Sequence, residues 1–405
     1  MGQVGQGSVL CSTPQRFLRW RAAGGALSLG GMRVLHLIAR LNDGGPARVI
    51  AQLAHTLPAH GFTIEVAAGR CALGEGDLGP RLRAEGLAVI DVPELGRTPS
   101  LLRDVRALLR VMRLIREHRP ALVHTHTAKA GALGRIACRV LSVPCLHTYH
   151  GHVLDGYFSP LMNRVVHISE RLLAGDGYHH ALTPSQGRDL ARVHAIGRRS
   201  RWQVLPVPVA AVIPAMAPWQ RELRSGVPVV GFLGRLTAVK DVDLWLATLA
   251  EIQRHQAIQG VICGGGPERV HLEKVARLSK LPVYFTGAVP AGEALAVMDV
   301  LLMTSRNEGL PLVAMEAAGC RIPVVAPAVG GLADLIRWGA VEGAARTPDA
   351  LAAACMRMLS DRAARQRRTM LAAIMAGRLD PVRLAGAYAE MYRSIISAAH
   401  CRVLQ

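Results

Sequence analysis

One pattern recurs along the sequence: a continuous apolar run, a loop that contains glycine, and a run with helical spacing of apolar residues. Its clearest copies are MRVLHLIARLNDGGPARVIAQLAHTL, ALVHTHTAKAGALGRIACRV, VVGFLGRLTAVKDVDLWLATLA, VICGGGPERVHLEKVARL and IPVVAPAVGGLADLI. Continuous apolar runs are typical of parallel strands that are buried on both faces, and helices connect such strands. The alternation therefore predicts an α/β fold of parallel sheets covered by helices.

The chain of 405 residues predicts two domains, since single cores stop growing at about 250 to 300 residues. A proline-rich stretch without helical or strand periodicity marks the division between them. The predicted segments are a disordered extension or misassigned translation start at 1–31, an N-terminal Rossmann-like domain at 32–205, a linker at 206–226, a C-terminal Rossmann-like domain at 227–380, and a last helix at 381–405.

The net charge of +19 predicts an anionic partner. Nucleic acid is not expected, because only 4% of the residues are aromatic and no nucleic-acid-binding motif is recognisable. No apolar run reaches the length of a membrane span. The eight cysteines are scattered and form no C-x-x-C pair, which favours a reduced compartment. We expect a cytoplasmic protein that can also lie at the inner face of the plasma membrane.

Two carboxylates stand in the otherwise apolar stretch RNEGLPLVAMEAAGC, residues 306–320. The preceding DVLLMTS predicts a buried strand, and Pro311 suits the first position of a helix. Glu308 is then expected in the loop at the carboxyl end of a strand, and Glu316 about a turn and a half into the helix, at ~1.5 Å per residue. Ligands of Rossmann-like domains bind at these strand ends, so both carboxylates can face one crevice.

Glycine loops and cations stand at other strand ends. Gly44 and Gly45 would let backbone amides approach a phosphate at a helix start, and Gly264 would let the main chain lie against a ring or ribose. Tight turns without a ligand explain these glycines equally well. Arg235 and Lys240 follow a buried strand and could clamp a pyrophosphate, with a solvated loop as the alternative.

Histidines are concentrated in one segment, at positions 124, 126, 147, 150 and 152. The H-x-H spacing on a strand could place two imidazoles on one side for a metal, but Asp155 is the only acidic residue beside them. Hydrogen-bonding or catalytic histidines are therefore favoured, with pKa values near 6.5 that suit proton transfer. No metal site is predicted.

The motif KDVD places Asp241 and Asp243 at the D-x-D spacing that many metal-dependent sugar transferases use. The pair directly precedes the helical run LWLATLAEIQ. Aspartates at a helix start cap free N–H groups and complement the helix dipole, so capping is the favoured interpretation.

In order and spacing, these motifs together resemble the family 4 retaining glycosyltransferases of the GT-B fold, over nearly all of 32–400. The most specific element is Glu308-x7-Glu316 with GLP after the first glutamate, followed by VVAPAVGG. The resemblance implies two Rossmann-like domains that face a central crevice, and a final helix that crosses back to the N-terminal domain. Two departures are the absence of Asn-Gly-Val-Asp in the linker and Asp334 where the family more often has Pro-Glu.

On the donor side, the resemblance implies that Glu308 contacts hydroxyls of the donor sugar. The backbone amides of Gly309 and Leu310 would lie near the sugar and phosphates, and Glu316 would bind the ribose.

The resemblance also implies that Arg235 and Lys240 neutralise the leaving diphosphate without a metal ion or other cofactor, while Gly45 donates from the opposite domain. His150 matches the family histidine beside the transferring carbon, and His126 is a looser match.

The implied activity is retaining transfer of a hexose-type sugar from a UDP- or GDP-linked donor to a hydroxyl of a lipid-linked or saccharide acceptor, in cell-surface polysaccharide or glycolipid biosynthesis. A glycosidase also uses paired carboxylates, about 5 to 9 Å apart, but needs no phosphate loops. A GT-B sugar-nucleotide epimerase and a non-catalytic nucleotide- or anion-binding protein are further alternatives.

The segment LLRDVRALLRVMRLIREH, 101–118, predicts an amphipathic helix. Its arginines at 103, 106, 110 and 113 share one face, and its apolar residues at 102, 105, 109 and 112 share another. The face is either the solvated side of a packed helix or a docking surface for anionic lipid, where each basic residue contributes about 1 kcal/mol.

Overall fold

The structure is a computed structural model that describes residues 31–71, 76–96, 100–151, 160–175, 177–198 and 201–403. The extension expected at 1–31 lies outside this part of the chain except for Gly31. His152 and Asp155, which entered the interpretation of the histidine segment, also lie outside it.

The strands are β1 (Met32–Ile38), β2 (Phe62–Ala68), β3 (Ala88–Asp91), β4 (Leu122–His126), β5 (Cys145–Tyr149), β6 (Tyr178–Ala181), β7 (Trp202–Val204), β8 (Val229–Leu233), β9 (Gln259–Cys263), β10 (Val283–Gly287), β11 (Val300–Leu302), β12 (Val324–Pro327) and β13 (Glu342–Ala344). The helices are α1 (Gly45–Thr56), α2 (Gly79–Ala84), α3 (Leu101–His118), α4 (Ala128–Leu141), α5 (Pro160–Ala174), α6 (Pro184–Arg188), α7 (Val242–Gln253), α8 (Arg269–Leu278), α9 (Ala291–Leu295), α10 (Leu312–Gly319), α11 (Leu332–Arg337), α12 (Pro348–Ser360), α13 (Arg362–Arg378) and α14 (Pro381–Val403).

The strands form two sheets with the same winding. The first has the order β3-β2-β1-β4-β5-β6-β7 and the second the order β10-β9-β8-β11-β12-β13. Every pair is parallel, so the predicted α/β fold is confirmed. The strand order reverses beside β1 and β4 in the first sheet and beside β8 and β11 in the second, and these are the points where open α/β sheets bind ligands.

The apolar runs become strands because helices bury both of their faces. All five residues of β4, β5 and β9 are buried. In the second sheet, Trp245 and Leu249 of α7 pack in one core with Val230 and Phe232 of β8. This two-sided burial explains why the strands lack the alternation of a sheet with one wet face.

The segment between the two sheets is hydrogen-bonded to the C-terminal part of the chain. The amide of Val209 donates to the carbonyl of Leu379 (2.9 Å), and the hydroxyl of Tyr388 on α14 donates to the carbonyl of Pro206 (3.3 Å). Farther along α14, the Tyr392 ring meets Phe62 of β2 edge-on. The helix therefore lies against the first sheet's domain, which brings Tyr392 beneath the strand ends of that sheet.

The packing of α3 differs from the two faces expected from the sequence. Ala107, Val111, Leu114 and Ile115 are buried, while the apolar residues at 102, 105 and 109 are exposed beside the exposed arginines and Met112 is half-buried. The exposed side of α3 is thus divided into an apolar strip and a basic strip. None of the helices in the described part of the chain is long and apolar enough to span a membrane.

Candidate active site

The carboxyl ends of strands from both sheets enclose a cavity of about 500 Å³. Loops after β1 and β5 contribute from one sheet, and loops after β8 and β11 from the other. The predicted site residues that line this cavity are Gly44, Gly45, His150, Arg235, Lys240, Glu308, Gly309, Leu310 and Glu316. The structure therefore brings together residues that are separated by up to 272 positions in the sequence, from 44 to 316.

Glu308 is held in place at the end of β11. The ammonium group of Lys240 contacts its Oε1 atom, and the hydroxyl of Ser305 donates to the same oxygen at 2.6 Å. The side chain of Glu308 is only 11% exposed, and that of Lys240 is 24% exposed. Both bonds fix one oxygen, so the orientation of the carboxylate is set before a ligand binds. Arg235 is exposed on the same wall.

Glu316 lies on α10, as expected, although this helix begins at Leu312 with Pro311 as its N-cap residue. Its Oε1 atom accepts from Nη1 of Arg48 on α1 (3.2 Å), and Nε of Arg48 donates to Asp43 (2.8 Å). Burial raises the pKa of the Glu316 carboxyl, while the guanidinium of Arg48 acts in the opposite direction. This ion pair joins the two walls of the cavity.

The two walls also touch through backbone at Gly309. A Cβ atom on Gly309 would lie 1.7 Å from the carbonyl oxygen of His150, so a side chain cannot be accommodated there. The amide of Gly331 donates to the carbonyl of Glu308 at 3.0 Å and supports the same loop from behind. Glycine at 309 thus allows the loop that carries Glu308 to reach His150.

The glycine pair at the start of α1 lies at the predicted position. Gly44 is the N-cap residue and no side chain caps the helix. A Cβ on Gly45 would have Leu312 of the opposite wall as its nearest neighbour, at 3.6 Å. The first turn of this 12-residue helix is therefore presented to the cavity, where its unpaired amides and its dipole favour an anion.

Gly264 does not line the cavity. It has a φ of +145°, and a Cβ atom on it would lie 1.9 Å from the carbonyl oxygen of Gly234. The amide of Gly234 in turn donates to Cys263 (3.0 Å). Close backbone packing therefore already requires glycine here, and this packing supports the loop that carries Arg235. A direct contact of Gly264 with substrate stays a prediction.

The two predicted histidines occupy different layers. His150 follows β5 and lines the cavity, while His126, at the end of β4, is fully buried behind it with 2.8 Å between its Nδ1 and Nε2 of His150. Burial lowers the pKa of His150 to about 3. The expectation of pKa values near 6.5 is therefore wrong for this ring, because it is desolvated, and it is neutral at physiological pH.

The D-x-D pair begins α7 as predicted, but the hydrogen bonds expected of a cap are absent from the described residues. The carboxylate of Asp241 contacts Arg346 and accepts from Arg306 at 3.2 Å, and Asp243 accepts from His271 at 2.8 Å. The side-chain capping part of the interpretation is wrong: Asp241 is the N-cap residue, but it has a φ of +49° and its side chain is held by arginines. Asp243 does lie in the first turn, where the helix dipole favours a negative charge.

Two residues that hold the glutamates of the cavity were missed by the reasoning from sequence: Arg48, which lines the cavity, and Ser305, which is buried behind it. Arg48 pairs with Glu316, and its signal was its position one turn after the glycine pair, where the same helix borders the cavity. Ser305 orients Glu308, and its position three residues before that glutamate was a weaker signal. Asp334, which departs from the family pattern, is buried and accepts a hydrogen bond from the amide of Ser185 at 3.0 Å, across the two domains.

Comparison with known proteins shows which families the two halves of the chain match. Residues 227–361 match the family described as "Glycosyl transferases group 1", and residues 44–208 match the "Glycosyl transferase 4-like domain". The 2-deoxystreptamine N-acetyl-D-glucosaminyltransferase of Streptomyces fradiae is 31% identical over 324 residues, which cover 73% of this chain and 74% of the relative.

Two other similarities concern a shorter segment and the fold. The UDP-Gal:alpha-D-GlcNAc-diphosphoundecaprenol alpha-1,3-galactosyltransferase of Escherichia coli is 43% identical over 65 residues, 16% of this chain and 17% of that one. The crystal structure of Anabaena HepE in complex with UDP and glucose superposes with a TM-score of 0.73 at 21% identity, covering 90% of this chain and 100% of that one. At this identity the second similarity shows the fold alone.

Proposed function

Because this chain belongs to the family 4 glycosyltransferases of the GT-B fold, we propose that it transfers a hexose-type sugar, with retention at the anomeric carbon, from a UDP-linked donor to a hydroxyl of a lipid-linked acceptor. The protein is a glycosyltransferase that uses a nucleotide-sugar donor. The matched relatives favour this activity over an epimerase or a silent binding protein.

The observation that carries the proposal is the pairing of Lys240 with Glu308 beside Arg235, opposite the amino end of α1. When the bond between the anomeric carbon and the diphosphate breaks, its electron pair leaves with the diphosphate. Arg235, Lys240 and the first turn of α1 are placed to stabilise this added charge. Lys240 and Ser305 hold the Oε1 atom of Glu308. Its Oε2 atom would accept hydrogen bonds from hydroxyls of the donor sugar.

A UDP-linked donor is supported by two similarities. The Anabaena structure contains UDP and glucose, and the name of the E. coli relative specifies a UDP-linked galactose. The test is a screen of UDP- and GDP-linked hexoses by the rate of donor hydrolysis and by transfer to a lipid-linked acceptor. Turnover of UDP-linked donors alone is expected, and turnover restricted to GDP-linked donors would overturn the choice of nucleotide.

A lipid-linked acceptor is supported by the surface of the first domain as well as by the E. coli relative, whose name includes diphosphoundecaprenol. Helices α3, α4 and α5 pack side by side in one layer. On α5 the exposed apolar residues follow helical spacing, at 161, 165, 168 and 172, and Ile136 and Val140 of α4 are exposed between α5 and α3. We call these exposed faces of α3, α4 and α5 the docking face.

The docking face combines apolar and basic side chains in the manner of helices that lie at a membrane surface. Leu102 of α3 and Leu161 of α5 are both 74% exposed. Exposed arginines accompany them at positions 103, 106, 110, 139 and 164. Such a surface fits an anionic bilayer, into which the apolar side chains would insert while the arginines contact headgroups.

The membrane proposal is tested by sedimentation with phosphatidylglycerol and phosphatidylcholine vesicles. Arg106→Glu/Arg110→Glu should weaken binding to the anionic vesicles by about 2 kcal/mol or more, at about 1 kcal/mol per basic residue. Lys274→Glu/Arg277→Glu is a matched control, because it makes the same charge change on the exposed side of α8 in the other domain. Equal losses for both variants, or equal binding to both lipids, would overturn the docking face.

A further inference from the structure

His150 stands at one end of a buried row of polar side chains that runs through the first sheet to the segment after β7. The row contains neutral imidazoles, one threonine and one tyrosine. A neutral imidazole carries one N–H and one bare nitrogen, so each ring can pass on the direction of a hydrogen bond but cannot reverse it. The direction of the whole row is therefore set wherever one bond has only one possible donor.

That fixed point is the carbonyl of Leu205, which can only accept. Nε2 of His180 lies 2.7 Å from it and must carry the proton. Burial lowers the pKa of His180 to about 4, so its Nδ1 is bare and accepts from the hydroxyl of Thr148 at 2.7 Å. The Thr148 oxygen then accepts from Nε2 of His124 (2.6 Å), and the bare Nδ1 of His124 accepts from the hydroxyl of Tyr392 (2.7 Å).

From Tyr392 to the cavity, the row continues with the same direction of hydrogen bonds. The tyrosine oxygen accepts from Nε2 of His36 at 3.4 Å, and Nδ1 of His36 accepts from Nε2 of His126 at 3.0 Å. Nδ1 of His126 then accepts from Nε2 of His150 at 2.8 Å. Burial lowers the pKa of His36 to about 3 and that of His126 well below its usual range, so both rings are neutral.

We propose that this row is a directed hydrogen-bond chain that holds His150 in its Nε2–H tautomer, with Nδ1 as the bare nitrogen, and that Tyr392 of the last helix is the positioning residue that transmits the direction. The proposal rests on the proposed function, in which His150 takes the place of the family histidine beside the transferring carbon of the donor sugar. The bare Nδ1 of His150 is then a hydrogen-bond acceptor. It can accept from a sugar hydroxyl, but it cannot donate to a sugar oxygen.

Ring geometry supports hydrogen bonds rather than a shared metal ion. The ring centres are 5.2 Å apart for His36 and His126 and 5.1 Å apart for His126 and His150. Each separation equals the nitrogen–nitrogen distance plus the two ring radii, so the contacting nitrogens lie on the line between the ring centres and in the plane of both rings. His36, His124 and His126 do bring nitrogens within 4.8 Å of one another, but Nδ1 of His36 and Nε2 of His126 face each other at 3.0 Å, the geometry of a hydrogen bond rather than of two lone pairs that converge on one ion.

The buried rings of the row are influenced mainly by one another. The electrostatic influences on His124 and His126 come from one another and from His36, His147, His150 and His180, and those on His150 come from His36 and His180. The nearby Arg135, which is paired with Glu170, influences His147, Tyr149 and His179, which lie outside the row. A mostly uncharged row favours the neutral forms on which the direction depends.

The test is nitrogen-15 NMR of histidine-labelled protein, which distinguishes the two tautomers of each ring. Wild-type His150 should be in the Nε2–H form. In Tyr392→Phe the link to His36 is lost, so the rings at 36, 126 and 150 can reverse together and His150 should become a mixture of tautomers. Tyr388→Phe is the matched control: it removes the same hydroxyl from the same helix, but that hydroxyl donates to Pro206 outside the row.

Steady-state kinetics of Tyr392→Phe distinguish a failure of the hydrogen-bond chain from a failure of the role given to His150. Tyr392→Phe should lower kcat about twofold, in proportion to the fraction left in the competent form, without raising the donor KM. A mixed tautomer with unchanged kcat supports the directed chain and overturns the role given to His150. A mixed tautomer in the wild type, an unchanged tautomer in Tyr392→Phe, or a mixture in Tyr388→Phe overturns the chain, as does stoichiometric metal in the purified protein that changes the histidine signals when removed.

Discussion

The two walls of the cavity use different chemistry on the same architecture. The wall from the second sheet is charged: Arg235, Lys240 and Glu308 lie in loops after strands, Glu316 lies on α10, and the lysine contacts Glu308. The wall from the first sheet presents His150 with a row of neutral rings behind it, of which His36, His124 and His126 are fully buried.

The two walls therefore depend on different properties: one on the positions of charged groups, the other on the positions of protons. A charged wall acts through the positions of its charges. A wall of neutral histidines acts through the positions of protons, and it holds only while the rings remain neutral. Acidification should therefore affect the first domain before the second, and substitutions that change charge should affect the second wall before the first.

The largest effect is expected from acid. The pKa values of His36 and His150 are lowered to about 3, and that of His180 to about 4, whereas the unfolded chain takes up protons near pH 6.5. Between these limits the unfolded state binds more protons, so the free energy of unfolding falls as pH falls below 6.5. Each such histidine removes about 1.4 kcal/mol per pH unit.

Several histidines contribute to this loss over the same pH range. Together they should remove a large part of a typical free energy of unfolding of about 5 to 15 kcal/mol. Urea unfolding at pH 7.0, 6.0 and 5.5 measures the loss. Hydrogen exchange, corrected for its intrinsic pH dependence, locates it: peptides from β4, β5 and β6 should lose protection before peptides from β8, β9 and β11. A urea midpoint that does not move over this range would contradict the assignment of neutral rings.

The contrast between the walls also explains what could be predicted from the sequence. The alternation of strands, glycine loops and helices was sufficient for the fold, because two-sided burial produces apolar runs that are easy to recognise. Glu308, Lys240 and Arg235 could be found because a charge beside an apolar strand is conspicuous. The position of each was local information, since every one follows its own strand by a few residues.

The histidine row could not be derived in this way. Its histidines at 124, 126 and 150 belong to the histidine-rich segment, but its other members come from β1, β5, β6 and α14. Nothing in the sequence connects these to the segment, since the row extends over 356 positions, from His36 to Tyr392. A buried histidine also looks in sequence like a catalytic one, since only the packing around it decides its pKa. The same limit applies to Asp241, whose arginine partners at 306 and 346 lie far along the chain.

The next largest effect is expected at the charged wall. Glu308→Gln keeps the shape of the side chain but removes the charge that Lys240 and Ser305 hold in place, and kcat should fall roughly 10²- to 10³-fold, as for other single groups that act in a transition state. Affinity for free UDP, measured by calorimetry, should be retained. Ser305→Ala is the milder comparison, since it removes one hydrogen bond of about 0.5 to 1.5 kcal/mol from the same oxygen. A larger loss from Ser305→Ala than from Glu308→Gln would reverse this ranking.

A smaller and different effect is expected from Glu316. Glu316→Ala should weaken UDP binding by ~1.5 to 3 kcal/mol, the value of a hydrogen bond to a charged group, with a minor change in kcat at saturating donor. Arg48→Gln sharpens the interpretation, because without the guanidinium the pKa of Glu316, already raised by burial, should rise further. UDP affinity of this variant should then decline more steeply than that of the wild type as pH falls from 7 to 5.5. Unchanged UDP affinity in Glu316→Ala would remove the ribose contact from the proposal.

The smallest effect, no change at all, is expected on removal of divalent ions. In the proposed function, the charged wall supplies the cations that the leaving diphosphate needs. Asp241 and Asp243, which have the spacing of a metal-binding pair, are engaged by Arg306, Arg346 and His271. An ion would have to break these pairs before it could bind. Donor hydrolysis in excess EDTA should therefore equal hydrolysis with added magnesium or manganese, and Asp243→Asn should be as active as the wild type. Activity lost in EDTA and restored by manganese would show that the charged wall is incomplete without an ion, and the contrast between the two walls would then need a third component.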